Sequence, residues 1–250
     1  MQIPWLAAGE PLPDAASAWG PDAPVPGLLA AGGELSVERL REAYGSAIFP
    51  WFSDNQPILW WSPDPRMVLE VGRFRLHRSL RKTLEHFRQA AGCELRFDHD
   101  FEAVIRACAA APRAGQSGTW IVPEMVDAYI ALHRAGHAHS VETWIDSKLA
   151  GGLYCVSIGR AVFGESMFTR RPDASKIALA GLVGFCRHHG MPMIDCQQNT
   201  AHLASLGAQE MRRADFVAHV TRARAQPGPA WQFAPVYWAE LLSARTSEPT

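Results

Sequence analysis

The chain lacks the features that would connect it to a membrane or to an oxidising compartment. Its five cysteines are scattered, odd in number and without a CxxC pair, so we expect no disulfide framework and a reducing environment. Apolar runs such as residues 177–183 are far shorter than the ~20 residues that span a bilayer. No basic start leads into an apolar segment, so no signal peptide is predicted. We therefore expect a cytoplasmic protein with no membrane partner.

The chain also lacks an excess of one charge. Its 24 Lys and Arg are offset by 25 Asp and Glu, for a net charge of −1, and DNA is not an expected partner. Positive charge is concentrated locally instead, between residues 73 and 88, at Arg73, Arg75, Arg78, Arg81, Lys82 and Arg88. A clustered basic face suits nucleic-acid phosphates, although the same run also fits an ordinary solvated helix face.

The order of elements predicts two unequal domains in an α/β (α+β) fold. Residues 1–34 are rich in Pro, Gly and Ala and are predicted as extended coil, followed by two aromatic strands in which only one of Trp60 and Trp61 is expected to face inward. Beyond them helices and strands alternate and include a strand–helix–strand unit, which predicts a mixed sheet. The tail from Pro227 is predicted as coil. We place a small N-terminal domain at 1–66 and a larger domain at 67–250.

Two segments put polar groups into what otherwise reads as buried strand. A buried carboxylate is costly unless it is paired, so these acids need a reason to be there. Alternate residues of a strand share a face, which predicts that Asp195 and Gln197 point the same way. The same rule puts Glu165 between two apolar side chains, Phe163 and Met167. The pattern indicates a site that handles an amine beside an apolar group.

Each acid also has a plain structural interpretation. Asp195 would suit the cap of a short helix that begins near Thr200. Glu165 would equally suit a buried salt bridge to Arg170 or Arg171. Both interpretations stay open from the residues alone.

Three histidines and one cysteine suggest other chemistry that we do not expect. His133, His137 and His139 are spaced like metal ligands, but no carboxylate or cysteine follows at a matching offset. Cys196 adjoins the strand acids, but its side chain is predicted to face away from them. We therefore expect neither a metal nor covalent catalysis by a thiol.

Several segments together resemble one enzyme family, the leucyl/phenylalanyl-tRNA–protein transferases. In family order they run from about residue 25 to 220. They are GLLAAGGELS at 27–36, FPWFS at 49–53, ILWWSPDPR at 58–66, GTWI at 118–121, LHRAGHAHSVE at 132–142, GESMF at 164–168, ASK at 174–176, IDCQ at 194–197 and AHLASLGA at 201–208.

The resemblance implies both a fold and a reaction. The larger domain would be of the GCN5-related acetyltransferase type. The enzyme would move Leu or Phe, and less readily Met, from aminoacyl-tRNA to the N-terminal Arg or Lys of an acceptor protein. The modified protein would then be degraded by the bacterial N-end rule pathway. No cofactor is implied, because the aminoacyl ester brings its own driving force.

The resemblance also supports roles for individual residues. Asp195 would accept or relay the amine proton, or guide the amine electrostatically, while Gln197 would orient the amine or stabilise the oxyanion. Glu165 would meet the amino group of the donor amino acid. The expected walls of the apolar pocket are Phe163, Met167 and Leu153. The expected stacking partners of the terminal adenosine are Trp51 and Trp120. The expected contacts to the tRNA backbone are Arg73, Arg75, Arg78, Arg81 and Lys82.

Two other functions remain open at this point. An acyl-CoA-dependent transferase of the same fold would be expected to show a Q/R-x-x-G-x-G/A turn at a helix start, where this chain has RRPDAS at 170–175. A non-catalytic RNA-binding module would fit the basic residues and tryptophans. It would not explain the acids inside strands.

Overall fold

The computed structural model describes residues 2–111 and 121–243. Within those ranges the strands are β1 (Trp5–Leu6), β2 (Leu28–Gly32), β3 (Phe49–Pro50), β4 (Leu59–Trp61), β5 (Arg66–Glu70), β6 (Cys93–Phe97), β7 (Ala138–Ile145), β8 (Lys148–Ile158), β9 (Ala161–Thr169), β10 (Met193–Gln197) and β11 (Gln209–Met211). The α-helices are α1 (Val37–Gly45), α2 (Arg78–Gln89), α3 (Phe101–Ala110), α4 (Pro123–Arg134), α5 (Ala174–His188), α6 (Ala201–Ser205), α7 (Arg213–Arg224) and α8 (Val236–Leu242).

Seven strands form one large sheet in the order β11-β5-β10-β9-β8-β7-β6. Strands β9 and β10 are parallel neighbours, and the other neighbouring pairs are antiparallel. A parallel pair needs a crossover connection, which α5 supplies. The predicted α/β class, mixed sheet and strand–helix–strand unit are confirmed. The more specific GCN5-type fold is compatible with this topology and stays a prediction, as does the domain division at residue 66.

A smaller sheet has the strand order β1-β2-β4-β3. Coil was expected over residues 1–34, and this is wrong for β1 and β2, which pair in parallel with each other. Trp60 and Trp61 are both buried, so the expectation that one of them faces outward is also wrong. Trp60 Nε1 donates to the Gly32 carbonyl at 2.9 Å, and Trp61 Nε1 donates to the Trp51 carbonyl at 2.7 Å. Both faces of β4 are covered, so alternation along this strand exposes neither ring.

The large sheet is buried on both faces. One face packs with the small sheet, α1, α3, α4 and α7. The other packs with α2, α5 and α8. Polar side chains on its strands therefore need internal partners, since burial without a hydrogen bond is costly.

Glu142 on β7 shows how the sheet meets that requirement for a purely structural carboxylate. It is fully buried. Its Oε1 accepts from the backbone N–H groups of His99 and Asp100 and from the Ser140 hydroxyl. Its Oε2 accepts from Trp144 Nε1 at 2.8 Å. All four donors are internal, so Glu142 orders the loop before α3 and has no free face for a ligand.

The C-terminal segment is not coil throughout, which corrects the prediction for the tail. Helix α8 buries Tyr237, Trp238 and Leu241. These side chains pack against α2 and α5, and upstream Trp231 stacks on His139 with ring centroids 4.1 Å apart. Tertiary packing of aromatic residues forms this short helix, because helices of one or two turns are marginal alone. None of the described helices combines the length and apolar character needed to cross a membrane.

Candidate active site

A cavity of about 300 Å³ lies beside β8, β9 and β10, with α5 and α6 completing its wall. Both acids that the sequence singled out, Glu165 and Asp195, line it. They come from neighbouring parallel strands, which explains why residues thirty positions apart meet. The apolar part of the lining consists of Leu153, Met167, Leu179, Leu182, Ile194 and Leu203. The cavity therefore combines carboxylates with an apolar wall.

Asp195 forms a bidentate ion pair with Arg66 in the protein interior. Arg66 Nε donates to Oδ1 at 2.8 Å and Nη2 donates to Oδ2 at 2.6 Å, with both side chains at most 1% exposed. The rings of Phe49 and Phe216 lie over the guanidinium, 4.6 and 4.8 Å from its central carbon. Nη1 donates to the Ala47 carbonyl at 3.3 Å. This fork geometry compensates the burial of two charges.

The strand that carries Asp195 has a bulge directly after it. Asp195 pairs with Val68, but Gln197 pairs with Met67, so Cys196 is an extra residue in the ladder. Gln197 has a φ of +62°, a left-handed conformation that is uncommon outside glycine. Its N–H donates to Asp195 Oδ1 at 2.9 Å. The expectation that Asp195 and Gln197 share a face is wrong, because a bulge interrupts the alternation.

Glu165 belongs to a second hydrogen-bonded group in the same cavity. Its Oε1 accepts from Gln197 Nε2 at 2.7 Å, and its Oε2 accepts from the Tyr129 hydroxyl at 3.4 Å. The Tyr44 hydroxyl is hydrogen-bonded to that of Tyr129. Burial and the charge of Glu165 raise the pKa of both tyrosines well above the usual range, so the phenols stay protonated. Gln197 thus links the two acids, through its backbone to one and its side chain to the other.

Burial raises the pKa of Glu165 from its ordinary 4.5 to about 8, and the negative charge of Asp195 adds to the rise. The hydrogen bonds from Tyr44 and Tyr129 and the charge of Arg66 act in the opposite direction. At neutral pH the surroundings of Glu165 therefore favour the protonated carboxyl. A cation bound beside Glu165 would favour the carboxylate. A strongly perturbed group inside a cavity is typical of a functional site.

A second bulge gives Glu165 its position. Tyr154 pairs with Ser166 and Cys155 pairs with Gly164, so Glu165 is the extra residue of β9. An added residue inverts the inward and outward alternation on either side of it. Phe163, Glu165 and Met167 therefore do not share a face, and that expectation is wrong.

The bulge separates the three side chains expected to form the apolar pocket. Met167 and Leu153 are direct partners across β8 and β9, and both line the cavity. Phe163 lies in the core on the other face of the sheet, with its ring 5.1 Å from Tyr44 and 6.3 Å from Phe216. It is not among the residues that line the cavity. The structure corrects the expectation that Phe163 is a pocket wall.

Neither structural alternative for the two acids holds. The cap of α6 is Thr200, whose hydroxyl accepts from the Leu203 N–H at 3.2 Å, so Asp195 does not cap this helix. The described hydrogen bonds of Glu165 go to Gln197 and Tyr129. Arg170 instead donates to a backbone carbonyl at 3.3 Å and lies over the Phe168 ring.

Comparison with known proteins decides the family. The family model described as leucyl/phenylalanyl-tRNA protein transferase matches residues 68–221, and the model of that family's N-terminal domain matches residues 33–64. Three relatives carry the name leucyl/phenylalanyl-tRNA–protein transferase. The one from Polaromonas sp. is 64% identical over 97% of this chain and 95% of its own length. The one from Albidiferax ferrireducens is 59% identical over 96% of this chain and 95% of its own length. The one from Leptothrix cholodnii is 57% identical over 99% of this chain and 98% of its own length.

The chain belongs to the leucyl/phenylalanyl-tRNA–protein transferase family. The family predicted from the sequence segments is confirmed. Membership of this family favours aminoacyl transfer from tRNA to protein over the two alternatives, an acyl-CoA-dependent transferase and a non-catalytic RNA-binding module.

Of the two tryptophans expected to stack on the terminal adenosine, Trp51 lies within the described residues. Trp51 directly follows β3 and is half-buried, with its ring edge-on to Trp61 at 5.4 Å. It lies two residues beyond Phe49, whose ring covers Arg66, so its strand contacts the ion pair. Trp120 lies outside the described residues.

The basic residues expected to contact the tRNA backbone lie at the start of α2 and in the segment before it. Arg73, Arg75, Arg78 and Lys82 are exposed, and Arg81 is half-buried. Arg73 pairs with the nearby Glu70 at 3.1 Å. Arg81 Nη1 donates to the Leu242 carbonyl at 2.9 Å, so this side chain is partly used to hold the C-terminal helix.

The basic segment adjoins the cavity through α6. The Arg75 N–H donates to the Leu206 carbonyl at 2.9 Å, and His77 Nε2 lies 2.9 Å from the Ser205 carbonyl oxygen. Leu203 of the same helix lines the cavity. The basic segment and the cavity therefore have α6 as a common neighbour.

Cysteine and histidine chemistry has little support at the site. Cys196 lines the cavity, so the expectation that it faces away is wrong, but burial and the charge of Asp195 raise its pKa far above the usual range. His133 Nδ1 bonds to the Ala138 carbonyl at 2.7 Å and His139 pairs with Asp98 at 2.7 Å. In the part of the chain that the structure describes, no group of His, Cys, Asp or Glu has the arrangement of a metal site.

Three residues of the site escaped the sequence reasoning. Arg66 is the last residue of the segment ILWWSPDPR and directly precedes the apolar run of β5. A cation next to a buried strand suggests a buried anionic partner, and this was the available signal. Tyr44 and Tyr129 lie on α1 and α4 at positions that read as ordinary core. Their hydroxyl groups need buried partners, but no local pattern identifies which ones.

Proposed function

We propose that this protein transfers Leu or Phe, and less readily Met, from aminoacyl-tRNA to the N-terminal Arg or Lys of an acceptor protein. One observation carries the proposal. In a chain of this family, Glu165 and Asp195 line a single cavity together with a cluster of apolar side chains. That combination suits a substrate with an amine next to an apolar side chain.

The donor amino acid would be held at two points. Its side chain would lie against Leu153, Met167 and Leu203 of the apolar wall, where burial of apolar surface contributes affinity. Its α-amino group would lie at Glu165, a cavity carboxyl whose pKa is raised by burial. An ammonium there would replace the proton that Glu165 otherwise keeps.

The reaction is aminolysis of an activated ester. The acceptor nitrogen attacks the ester carbon, the bond from that carbon to the ribose oxygen breaks, and a peptide bond forms. The amine loses a proton and the departing ribose oxygen gains one. Holding both reactants in the cavity lowers the barrier without any further group. Gln197, whose side chain is bonded to Glu165, would donate to the developing oxyanion or orient the amine.

The tRNA would reach the cavity along the basic segment. Exposed Arg73, Arg75, Arg78 and Lys82 would neutralise phosphates, with Arg81 contributing from its half-buried position. Trp51 and Trp120 would stack on the terminal adenosine. The consequence for the acceptor protein would be degradation through the N-end rule pathway.

The test is a transfer assay with matched acceptors. Labelled Phe-tRNA is incubated with the protein and with three versions of one acceptor that begin with Arg, Lys or Ala. Label is expected in the Arg and Lys versions and not in the Ala version. A parallel reaction with labelled acetyl-CoA should transfer nothing. Label from acetyl-CoA, or no label from Phe-tRNA, would contradict the proposal.

A further inference from the structure

Arg66 is held more rigidly than an ion pair alone requires. Nε and Nη2 bind the two oxygens of Asp195, and Nη1 binds the Ala47 carbonyl. Phe49 and Phe216 cover the guanidinium. A planar guanidinium fork with aromatic groups over it fixes the orientation of its carboxylate partner.

The carboxylate of Asp195 has little capacity left for a substrate. A carboxylate offers about four lone-pair positions, and Arg66 Nε, Arg66 Nη2 and the Gln197 N–H already use three. The residue is 1% exposed. An amine would have to come within hydrogen-bond reach to give up its proton there. The contact that Asp195 makes toward the reaction site is the one to the Gln197 backbone.

That contact is made to a residue with an uncommon backbone conformation. Gln197 has a φ of +62°, and such conformations persist only where surrounding structure holds them. The same residue reaches Glu165 through Nε2 at 2.7 Å. A continuous series of hydrogen bonds therefore runs from Arg66 through Asp195 and Gln197 to Glu165.

We propose that Arg66 is a positioning residue for the transfer reaction: through Asp195 it holds the Gln197 bulge, and thereby the Gln197–Glu165 pair, in the geometry that receives the aminoacyl ester. Because Ala47 and Phe49 are also its neighbours, Arg66 ties the segment that leads to Trp51 to the same strand. This inference rests on the proposed function. It assigns Asp195 the role of an electrostatic guide rather than a proton acceptor.

The test separates catalysis from binding. The parent protein is compared with Arg66→Lys, Asp195→Asn, the double variant and Arg106→Lys. Single-turnover transfer from labelled Phe-tRNA to an Arg-initiated acceptor is measured with enzyme in saturating excess, and Phe-tRNA affinity is measured separately. Arg106 is the matched control because it forms an exposed ion pair with Glu102.

We expect Arg66→Lys to slow the single-turnover step by about 100-fold, since small misplacements of reacting groups have effects of that size. Its Phe-tRNA affinity should stay near the parent value, because the basic segment and the apolar wall are unchanged. The double variant should be no slower than the slower single variant, since both changes break the same series of contacts. Arg106→Lys should match the parent.

Arg66→Lys that transfers at the parent rate, or rate losses that multiply in the double variant, would overturn the inference. A purely structural role would lower thermal stability without this separation of rate from affinity. If Arg66→Lys does not fold, Phe216→Leu decides: it uncovers one face of the guanidinium, and the rate should fall with affinity unchanged. A parent rate in Phe216→Leu would then overturn the inference. Failure of the parent itself to transfer Phe would instead overturn the proposed function.

Discussion

Replacing Glu165 by Gln should change how the stability of the protein depends on pH. The folded state holds this carboxyl with a pKa of about 8, against an ordinary value of 4.5. Below pH 4.5 the group is neutral in both the folded and the unfolded chain. As pH rises, the unfolded chain ionises first, so the advantage of the folded state is lost progressively until pH passes about 8. Glutamine cannot ionise and shows no such loss.

The pKa difference sets the size of the effect. Between pH 5.5 and 7.0 the unfolded carboxyl is ionised while the folded one mostly keeps its proton, and each pH unit then contributes about 1.4 kcal/mol. Over this interval the loss of stability from Glu165 is at most about 2 kcal/mol, and partial solvent access at the cavity reduces that loss to about 1–2 kcal/mol. Between pH 5.5 and 7.0 the free energy of unfolding of the parent should therefore fall by about 1–2 kcal/mol more than that of Glu165→Gln.

Urea unfolding of both proteins at pH 5.5, 7.0 and 8.5 measures this difference directly. Subtracting one protein from the other cancels every group that they share. Glu102→Gln is the control, because Glu102 is an exposed partner of Arg106 on α3 and its solvation changes little on unfolding. Parallel pH profiles for Glu165→Gln and the parent would refute the reasoning about Glu165.

Three further changes address substrate binding. Trp51→Ala should weaken binding of a phenylalanyl-adenosine mimic by about 1–3 kcal/mol in a titration. The control is Trp5→Ala, which should bind like the parent because Trp5 is 69% exposed at the opposite edge of the small sheet. Equal affinities of Trp51→Ala and the parent would remove the stacking role. Met167→Ala should raise the dissociation constant of the same mimic by roughly tenfold, since an apolar side chain is lost from the wall; an unchanged constant would place the donor side chain elsewhere. Arg78→Ala combined with Lys82→Ala should lower the salt dependence of tRNA binding by about two in log–log slope, and an unchanged slope would show that neither contacts a phosphate.

Local signals in the chain account for most of the helices. Ser36 caps α1 by accepting from the Arg39 N–H at 3.2 Å, as its residue type and position predict. Pro123 opens α4, and Gly136, at a φ of +79°, follows its end. These signals involve residues a few positions apart, so they can be read without knowledge of the fold. Helix α8 was missed because its burial against α2 and α5 is not encoded locally.

The two acids, Glu165 and Asp195, could also be identified from a local signal in the sequence. A charged residue inside an apolar strand is visible in the sequence, and a buried charge calls for a function or a partner. What alternation suggested about their neighbours failed, because a bulge in β9 and another in β10 reverse the faces. Bulges depend on how the neighbouring strand is paired. Phe163 and Gln197 were misplaced on that account.

By itself the order of amino acids indicated most of the helices and strands, which family the chain belongs to and which acids are out of place. Only the tertiary structure decided what those acids do with one another. Arg66 and Asp195 are 129 positions apart, and no local pattern links them. Their contact, and the cavity shared by Asp195 and Glu165, exist because sheet pairing brings β5, β10 and β9 side by side, and pairing of strands distant in the chain is a property of the folded whole.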